Sequence, residues 1–176
     1  DVVVLEARRV GAVTTGNTTA KVSLLQGGTL STIRSRAGAE AVRHYLLANR
    51  AGQDWWREQV GVGDDLQVRD ALTYATTAAG HRRMVEEHEA SRQAGLAVEV
   101  VGPEVMEYAA VSTVAVLRLR DQLQAHPTRV LARLAEQVRA GGGRIVEGVR
   151  VTGADVGDPT TLQTSRGVVL AGNVVL

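Results

Sequence analysis

The sequence has 176 residues, enough for one domain or for parts of two. Its net charge of +1 and its aromatic content of 3% give no basis for predicting nucleic-acid binding, and the absence of cysteine excludes disulfides and thiolate metal sites. No apolar run approaches the roughly 18 residues of a membrane-spanning helix, so no membrane partner is predicted.

The first predicted element is an apolar strand at residues 2–5, followed directly by Glu6. An uninterrupted apolar run of this length is typical of a strand that is buried on both faces of a parallel sheet. A carboxylate at the C-terminal end of such a strand binds the ribose in dinucleotide-binding folds, because it can accept hydrogen bonds from two adjacent hydroxyls.

A loop rich in glycine and threonine follows, and Gly16 allows close approach of its backbone. Four threonines supply hydroxyls: Thr14, Thr15, Thr18 and Thr19. The spacing alone fits either an ordinary polar loop or a ligand-binding loop. Lys21 ends this segment and is the only lysine among 20 basic residues, which reflects either a background preference for arginine or a specific role.

A long helix is predicted at residues 38–59, because large side chains recur every three or four positions. This predicted face has six members: Val42, Leu46, Asn49, Gln53, Trp56 and Val60. We expect Trp55 and Trp56 to pack the helix onto the core rather than to stack on a cofactor. Gly61 is expected to end the helix.

The middle of the chain is predicted to contain strands at residues 66–77, 96–101 and 111–119, a helical turn at 104–108, and a polar helix at 81–94 with a solvated face. His81 and His88 on that helix are about two turns apart, too far for a compact pair of metal ligands, so no metal site is predicted.

The last third is predicted to begin with a connector at residues 121–126 and a helix that starts at Pro127, whose fixed φ suits a first turn. A strand at 144–151, a hairpin at 161–164 and 168–170, and another buried strand at 173–176 follow. His126 lacks a legible catalytic partner, so we expect it to hydrogen-bond near the helix start.

Several blocks of the sequence resemble one family. They are VVVLEA at residues 2–7, TTGNTTAK at 14–21, DQLQAHPTRVLARLA at 121–135 and GVVLAGNVVL at 167–176. The chain resembles FAD-dependent oxidoreductases of the D-amino-acid oxidase and glycine oxidase superfamily, especially the bacterial branch that often carries a C-terminal Rieske domain. The resemblance implies an α/β fold: a partial Rossmann-like FAD-binding domain at 1–60 and 121–176, and part of a mixed α+β substrate domain at 61–120.

The resemblance also implies a site for the cofactor FAD. Glu6 would bind the adenosine ribose, and Thr14 and Thr15 would line the phosphates. Thr18, Thr19, Ala20 and Lys21 would approach the isoalloxazine, with Lys21 opposing negative charge on the reduced flavin. In the family, a valine at the position of Val151 holds the adenine through its backbone. No catalytic residue is assigned.

The G-x-G-x-x-G turn of such folds lies about 20 positions before the acidic residue, whereas Glu6 is the sixth residue. We therefore expect an internal piece of a larger flavoenzyme, and we expect the isolated piece to be inactive and to bind FAD poorly. The larger enzyme is expected to oxidise a small amine, amino acid or hydroxy acid by hydride transfer to flavin. The alternative is a non-catalytic scaffold or regulatory module. A Rieske domain or electron-transfer partner outside this chain and a cytoplasmic location are further expectations.

Overall fold

The computed structural model describes residues 1–106 and 112–175, which form a mixed α/β chain as the sequence predicts. The described helices and strands are β1 (Val3–Glu6), β2 (Lys21–Val22), α1 (Thr29–Val60), β3 (Leu66–Ala75), α2 (Ala78–Gln93), β4 (Glu99–Val101), β5 (Ala115–Ala125), α3 (Pro127–Ala140), β6 (Arg144–Glu147), β7 (Val151–Asp155), β8 (Thr160–Thr164) and β9 (Gly167–Ala171).

The chain divides into two compact units, one of residues 1–19 and 127–176 and the other of residues 20–126. The sequence-based division set its boundaries at 60/61 and 120/121. The structure keeps residues 20–60 with the second unit, because β2 pairs with β5 and α1 packs against α2. The assignment of an FAD-binding role and a substrate-binding role to parts of the chain stays a prediction.

The first unit contains a parallel pair of strands and an antiparallel sheet. β1 pairs with β6 in parallel, and β7, β8 and β9 form a three-stranded meander. Helix α3 begins at Pro127, as predicted, and buries Val130 and Ala135. Its contacts with β6 cover one face of the parallel pair.

Three predictions for the first unit are wrong. The strand at residues 2–5 is not buried on both faces, since Val3 and Val4 are each 40% exposed; within the described residues β1 pairs only with β6. The strand predicted at 144–151 is two strands, because Gly148 turns the chain at φ +70° between β6 and β7. Residues 173–175 form no strand, Val175 is 97% exposed, and residue 176 lies outside the described part.

The second unit is built on β5, which pairs with β3 along one edge and with β2 and β4 along the other. Helices α1 and α2 pack on this sheet and enclose its main apolar core. The fully buried members of that core with the largest side chains are Leu30, Val42 and Leu117. A smaller cluster joins Leu66, Leu123 and Ala125, and Trp56 packs against it.

The predicted face of the long helix is confirmed, since Val42, Leu46 and Gln53 are buried and Gly61 ends the helix. The helix starts earlier than predicted, at Thr29. A break at Gly38, which has φ 83° and ψ 175°, separates its first nine residues from the rest. The sequence indicated only the segment after this break, because that segment alone shows a sustained apolar period.

The connector predicted at residues 121–126 is wrong, because β5 continues to Ala125. Gln122, Leu123 and Ala125 are buried, and Leu66 lies opposite Ala125 in the sheet. This pairing with β3 is a long-range contact that overrides the polar local sequence. The strand predicted at 111–119 starts at Ala115 in the structure, and the helical turn predicted at 104–108 is a short 3-10 turn at Pro103–Val105. Residues 107–111 of these two predictions lie outside the described part.

Candidate functional site

The carboxyl ends of β1 and β6 bring two carboxylates side by side. Glu6 lies opposite Glu147 in the parallel pairing, and each is the last residue of its strand. An Oε1 atom of Glu6 accepts the backbone N–H of Arg8 at 2.7 Å, and Oε1 of Glu147 accepts that of Val10 at 2.8 Å. Both carboxylates thus fasten the segment after β1 to the end of the sheet.

Glu6 keeps part of its acceptor capacity. The described residues provide no hydrogen bond to its Oε2 atom, and the side chain is half-buried. A carboxylate can accept about four hydrogen bonds, so Glu6 can hold the segment at Arg8 and still accept hydroxyls from a ligand. Glu6 lies at the C-terminal end of the first strand, where the sequence placed it, and its ribose-binding role stays a prediction.

The loop after β1 is compact. A Cβ atom added at Gly16 would lie 1.8 Å from the carbonyl oxygen of Gly11, so only glycine permits this approach. The amide of Asn17 donates to the carbonyl oxygen of Val13 at 2.6 Å, and its backbone N–H donates to that of Thr14 at 3.1 Å. These bonds hold the 3-10 turn Thr15–Asn17 in place.

The threonines of this loop are accessible to solvent. Thr14, Thr15 and Thr19 are exposed, and the described residues give none of their hydroxyls a hydrogen-bond partner. Thr18 is also exposed and is engaged in an interaction of its own. The loop therefore offers donors for an anionic ligand.

A cavity of about 310 Å³ lies within the first unit, between this loop and α3. Glu6, Thr14 and Thr15 give it polar groups, and α3 lines it with apolar side chains: Leu131, Leu134, Ala135 and Val138. A mostly apolar wall with a few polar groups is typical of ligand-binding cavities. Its size, the free oxygen of Glu6 and the free hydroxyls fit part of a dinucleotide.

Val151 does not line this cavity. It starts β7, is half-buried and lies opposite Thr164 in the antiparallel pairing with β8. Its predicted role uses only its backbone, and that role stays a prediction.

Ala20 and Lys21 of the predicted site belong to the second unit. Ala20 has φ +64°, which is uncommon for a residue other than glycine, and its carbonyl oxygen accepts the backbone N–H of Ala125 at 2.9 Å. Lys21 is not in a loop, as predicted, but in β2, opposite Gln124. Its side chain is exposed and has no hydrogen bond or ion pair with the described residues. The cation is thus free to act on a ligand.

A buried amide pair fixes the backbone that follows Lys21. Gln53 of α1 donates through Nε2 to the carbonyl oxygen of Val22 at 2.8 Å and to Oε1 of Gln122 at 2.9 Å. The same oxygen of Gln122 accepts the backbone N–H of Leu24, also at 2.9 Å. Gln53 was recognised in the sequence only as part of a helix face, and its polar role could not be inferred from periodicity.

Glu87 is the main residue that the sequence analysis misread. The helix that carries it was expected to present a solvated polar face, yet Glu87 is 1% exposed. Its two carboxylate oxygens accept the backbone N–H groups of Leu30 at 3.0 Å and Ser31 at 2.7 Å. A carboxylate at this end is also favoured by the helix dipole. Glu87 therefore caps the start of α1 from a different helix.

A cluster of three charged side chains, Glu99, Arg118 and Arg120, lies on the sheet of the second unit. Glu99 of β4 accepts hydrogen bonds from Arg120 at 2.8 Å and from Arg118 at 2.5 Å. These two guanidinium groups lower the pKa of Glu99 to about 2. The side chain of Glu99 is 40% exposed, and the cluster joins β4 to β5.

No three histidine or acidic side chains in residues 1–106 and 112–175 come together as a metal-binding group. Over the same residues, no helix combines the length and the apolar character needed to cross a membrane.

The parallel strands with a terminal carboxylate, the glycine- and threonine-rich loop and the covering helix define the class of the first unit: a dinucleotide-binding α/β fold. The chain belongs to the FAD-dependent oxidoreductase family, whose pattern matches residues 1–176. The family resemblance inferred from the sequence is thereby confirmed, and FAD is the cofactor of this family.

The chain is also similar to individual proteins in sequence and in structure. A Bacillus subtilis (strain 168) protein that is named as a Rieske 2Fe-2S iron-sulfur protein, YhfW, is 29% identical over 152 residues, which cover 83% of this chain and 29% of that protein. Glycine oxidase from Geobacillus kaustophilus has a similar structure, with a TM-score of 0.65 and 17% identity over 97% of this chain and 46% of its own.

L-alpha-Glycerophosphate oxidase from Mycoplasma pneumoniae, determined with FAD bound, also has a TM-score of 0.65, with 13% identity over 93% of this chain and 43% of its own. At these identities the two structures show a shared fold. The chain spans less than half the length of each of these three relatives.

Proposed function

We propose that this chain is part of an FAD-dependent oxidoreductase that oxidises a small amine, amino acid or hydroxy acid by hydride transfer to the flavin. The observation that carries the proposal is Glu6, which ends β1 with one carboxylate oxygen free of partners beside the threonine loop. The family match over the whole chain supports the choice of cofactor.

In the first unit, Glu6 would accept the ribose hydroxyls of the adenosine, as the free Oε2 atom allows. Thr14 and Thr15 would donate their exposed hydroxyls to the phosphates, and the backbone of Val151 would hold the adenine. Gly16 supports these contacts, since it keeps the loop folded against Gly11. The exposure and hydrogen-bonding capacity of Glu6, Thr14 and Thr15 permit the roles proposed for them.

Thr18, Thr19, Ala20 and Lys21 would approach the isoalloxazine. FAD, when bound, supplies the acceptor for the hydride of the substrate, and this is the redox chemistry that the protein itself lacks. The ammonium of Lys21 would stabilise negative charge on the reduced flavin. Gln53 and Gln122 would hold the backbone at Val22 and Leu24, directly after Lys21, and so help to define its position.

The substrate class is supported by the relatives. The names of the two similar structures specify glycine and a glycerophosphate, which are an amino acid and a hydroxy compound. Both are small polar molecules with a C–H bond next to nitrogen or oxygen. The same class is therefore proposed for this protein.

A Rieske domain outside this chain is proposed as an electron-transfer partner. The name of the Bacillus subtilis relative includes a Rieske 2Fe-2S cluster. Such a cluster needs two cysteine and two histidine ligands, and this chain has no cysteine. The cluster would thus be bound by another part of the protein. Electron paramagnetic resonance of the reduced natural-length protein would show a Rieske signal, and a protein without bound iron would contradict this proposal.

Absorbance spectroscopy tests the main proposal. The purified natural-length protein should retain a flavin spectrum through gel filtration. Small amines, amino acids and hydroxy acids are then added in turn under anaerobic conditions. Members of one of these classes should reduce the flavin and bleach its absorbance. A protein that takes up no flavin even from added FAD would instead support the alternative, a non-catalytic scaffold or regulatory module. If none of the three classes reduces the bound flavin, the proposed substrate class is wrong.

A further inference from the structure

Helix α1 has an outer face with a symmetric order of side chains. His44, Leu47, Ala51, Trp55 and Glu58 follow one another at spacings of three, four, four and three residues. At 100° per residue they all lie within about 40° of the direction of Ala51. The small residue Ala51 lies at the centre, an apolar residue lies on each side of it, and a polar or charged residue lies at each end.

This face, here called the Ala51 face, points away from the core of its unit. Leu47 is 63% exposed and Trp55 is 40% exposed, and Ala51 is exposed between them. The opposite side of the same helix carries the buried residues Val42 and Leu46. Much of the apolar surface of the Ala51 face is therefore left open by the described chain.

Trp55 is held in a defined position. Its ring packs edge-on against that of Trp56, with the ring centroids 5.8 Å apart and the ring planes at 89°. Trp56 in turn packs against the buried cluster at Leu66. A rigid, partly exposed tryptophan is a common anchor of protein interfaces, because little conformational entropy is lost when it becomes buried.

We propose that the Ala51 face is a dimer interface that binds the same face of a second copy of this chain, with the two helices antiparallel. A two-fold axis at Ala51 places Leu47 of one copy opposite Trp55 of the other, since both are four residues from the centre. It also places His44 opposite Glu58, since both are seven residues, or about 10.5 Å, from the centre. The small side chain of Ala51 lets the helices approach closely at the axis.

The pairing of a histidine with a glutamate selects the second copy as the occupant. His44 and Glu58 have no hydrogen bond or ion pair with the described residues, so both are available at the two ends of the face. In an antiparallel pair, His44 of each copy lies opposite Glu58 of the other copy, so the dimer contains two such pairs. A parallel pair would oppose Glu58 to Glu58, which is repulsive, so the arrangement is specified as well as the partner.

A helix pair of this length buries on the order of 1,000 Å² in total, which is the lower limit for a specific interface. This association goes beyond the proposed oxidoreductase function and does not depend on it.

Sedimentation velocity of the natural-length protein over a concentration series tests the interface. The His44→Glu and Glu58→His substitutions should each weaken the dimer about tenfold or more. The first places two glutamates opposite each other at both ends of the interface, and the second places two histidines there. The exchanged double variant should restore it, since the pair is only reversed. Leu47→Glu should abolish the dimer, and because Leu47 is exposed, this change leaves the fold intact by circular dichroism.

Disulfide cross-linking gives a second readout, because this chain contains no cysteine and the unsubstituted natural-length protein controls for any cysteine elsewhere in it. Ala51→Cys should form a covalent dimer on mild oxidation. Arg50→Cys is the matched control, since it is exposed but lies one residue, about 100°, round the helix. A monomeric protein at high concentration, a dimer unaffected by Leu47→Glu, a double variant that fails to recover, or equal cross-linking at both positions would overturn the proposal.

Discussion

Lys21 combines an unusual residue choice with an unpaired charge. It is the only lysine among 20 basic residues, and its ammonium has no ion pair with the described residues. It lies in β2, whose backbone is held by Gln53 at the carbonyl oxygen of Val22. In the proposed site, this cation would stabilise the reduced flavin more than the oxidised flavin.

The Lys21→Met substitution should therefore lower the two-electron midpoint potential of the bound flavin. For one partly screened charge we expect a shift on the order of 30 mV, equivalent to about 1.4 kcal/mol. Lys21→Arg should retain part of the effect, since the charge remains while its shape changes. The measurement is a redox titration of the three proteins in one buffer. Equal potentials would show that Lys21 is a solvated surface residue.

Glu87 is a buried carboxylate with a structural task. Glu87→Ala would leave the N–H groups of buried Leu30 and half-buried Ser31 without their acceptor, and the free energy of unfolding should fall by about 2–5 kcal/mol. Glu87→Gln keeps one acceptor oxygen and should cost less. Urea titration measures both. Glu86→Ala, one residue along the same helix and exposed, is the control and should change stability by less than about 0.5 kcal/mol. A similar loss for both alanine variants would reject the capping role.

At the scale of elements, Glu99 joins β4 to β5 through Arg120 and Arg118. Because the folded state lowers the pKa of Glu99 from 4.5 to about 2, the folded state binds fewer protons at this group than the unfolded state. The stabilising effect of Glu99 is thus fully present above pH 4.5 and is lost as the pH falls through about 2.

The melting temperature should show this dependence. The difference between the wild type and Glu99→Gln should be constant near neutral pH and should shrink as the pH falls between 4.5 and about 2. Added salt should reduce the difference at neutral pH, since both partners are partly exposed. A difference that stays the same across this pH range would show that the charge of Glu99 contributes nothing.

The elements predicted from sequence were those with a strong local pattern. The face of α1 at Val42 and Leu46, the start of α3 at Pro127, and the hairpin of β8 and β9 all follow from periodicity or turn chemistry. The misread elements depend on distant partners. β5 continues through residues 121–125 because β3 pairs with it, and α1 begins at Thr29 with a cap from Glu87.

The site divides in the same way. Glu6 could be located from the sequence because an apolar run ends at a single carboxylate, and the structure places it at the end of β1. The strand position of Lys21 could not be predicted, since β2 has only two residues and exists through its pairing with β5. No sequence pattern indicates either that the backbone N–H of Arg8 donates to one carboxylate oxygen of Glu6 and leaves the other oxygen free.

At the scale of the whole molecule, the two compact units are continuous in sequence only at residues 19/20 and 126/127. The first unit holds Glu6, the threonine loop and Val151, and the second holds Lys21. The chain covers 46% of glycine oxidase and 43% of L-alpha-glycerophosphate oxidase, so the activity of the natural-length protein is a proposal supported by family membership. The central claim is that this chain contributes the ribose-binding carboxylate of an FAD site.

Equilibrium titration of the natural-length apoprotein with FAD tests that claim most directly. Glu6→Ala should weaken FAD binding by roughly 1.5–3 kcal/mol, the range for hydrogen bonds to a charged group, and should leave the far-ultraviolet circular dichroism unchanged. Asp155→Ala, an exposed carboxylate in the same unit, should bind FAD as the wild type does. If Glu6→Ala binds FAD as tightly as the wild type, Glu6 is not part of the site and the account is contradicted.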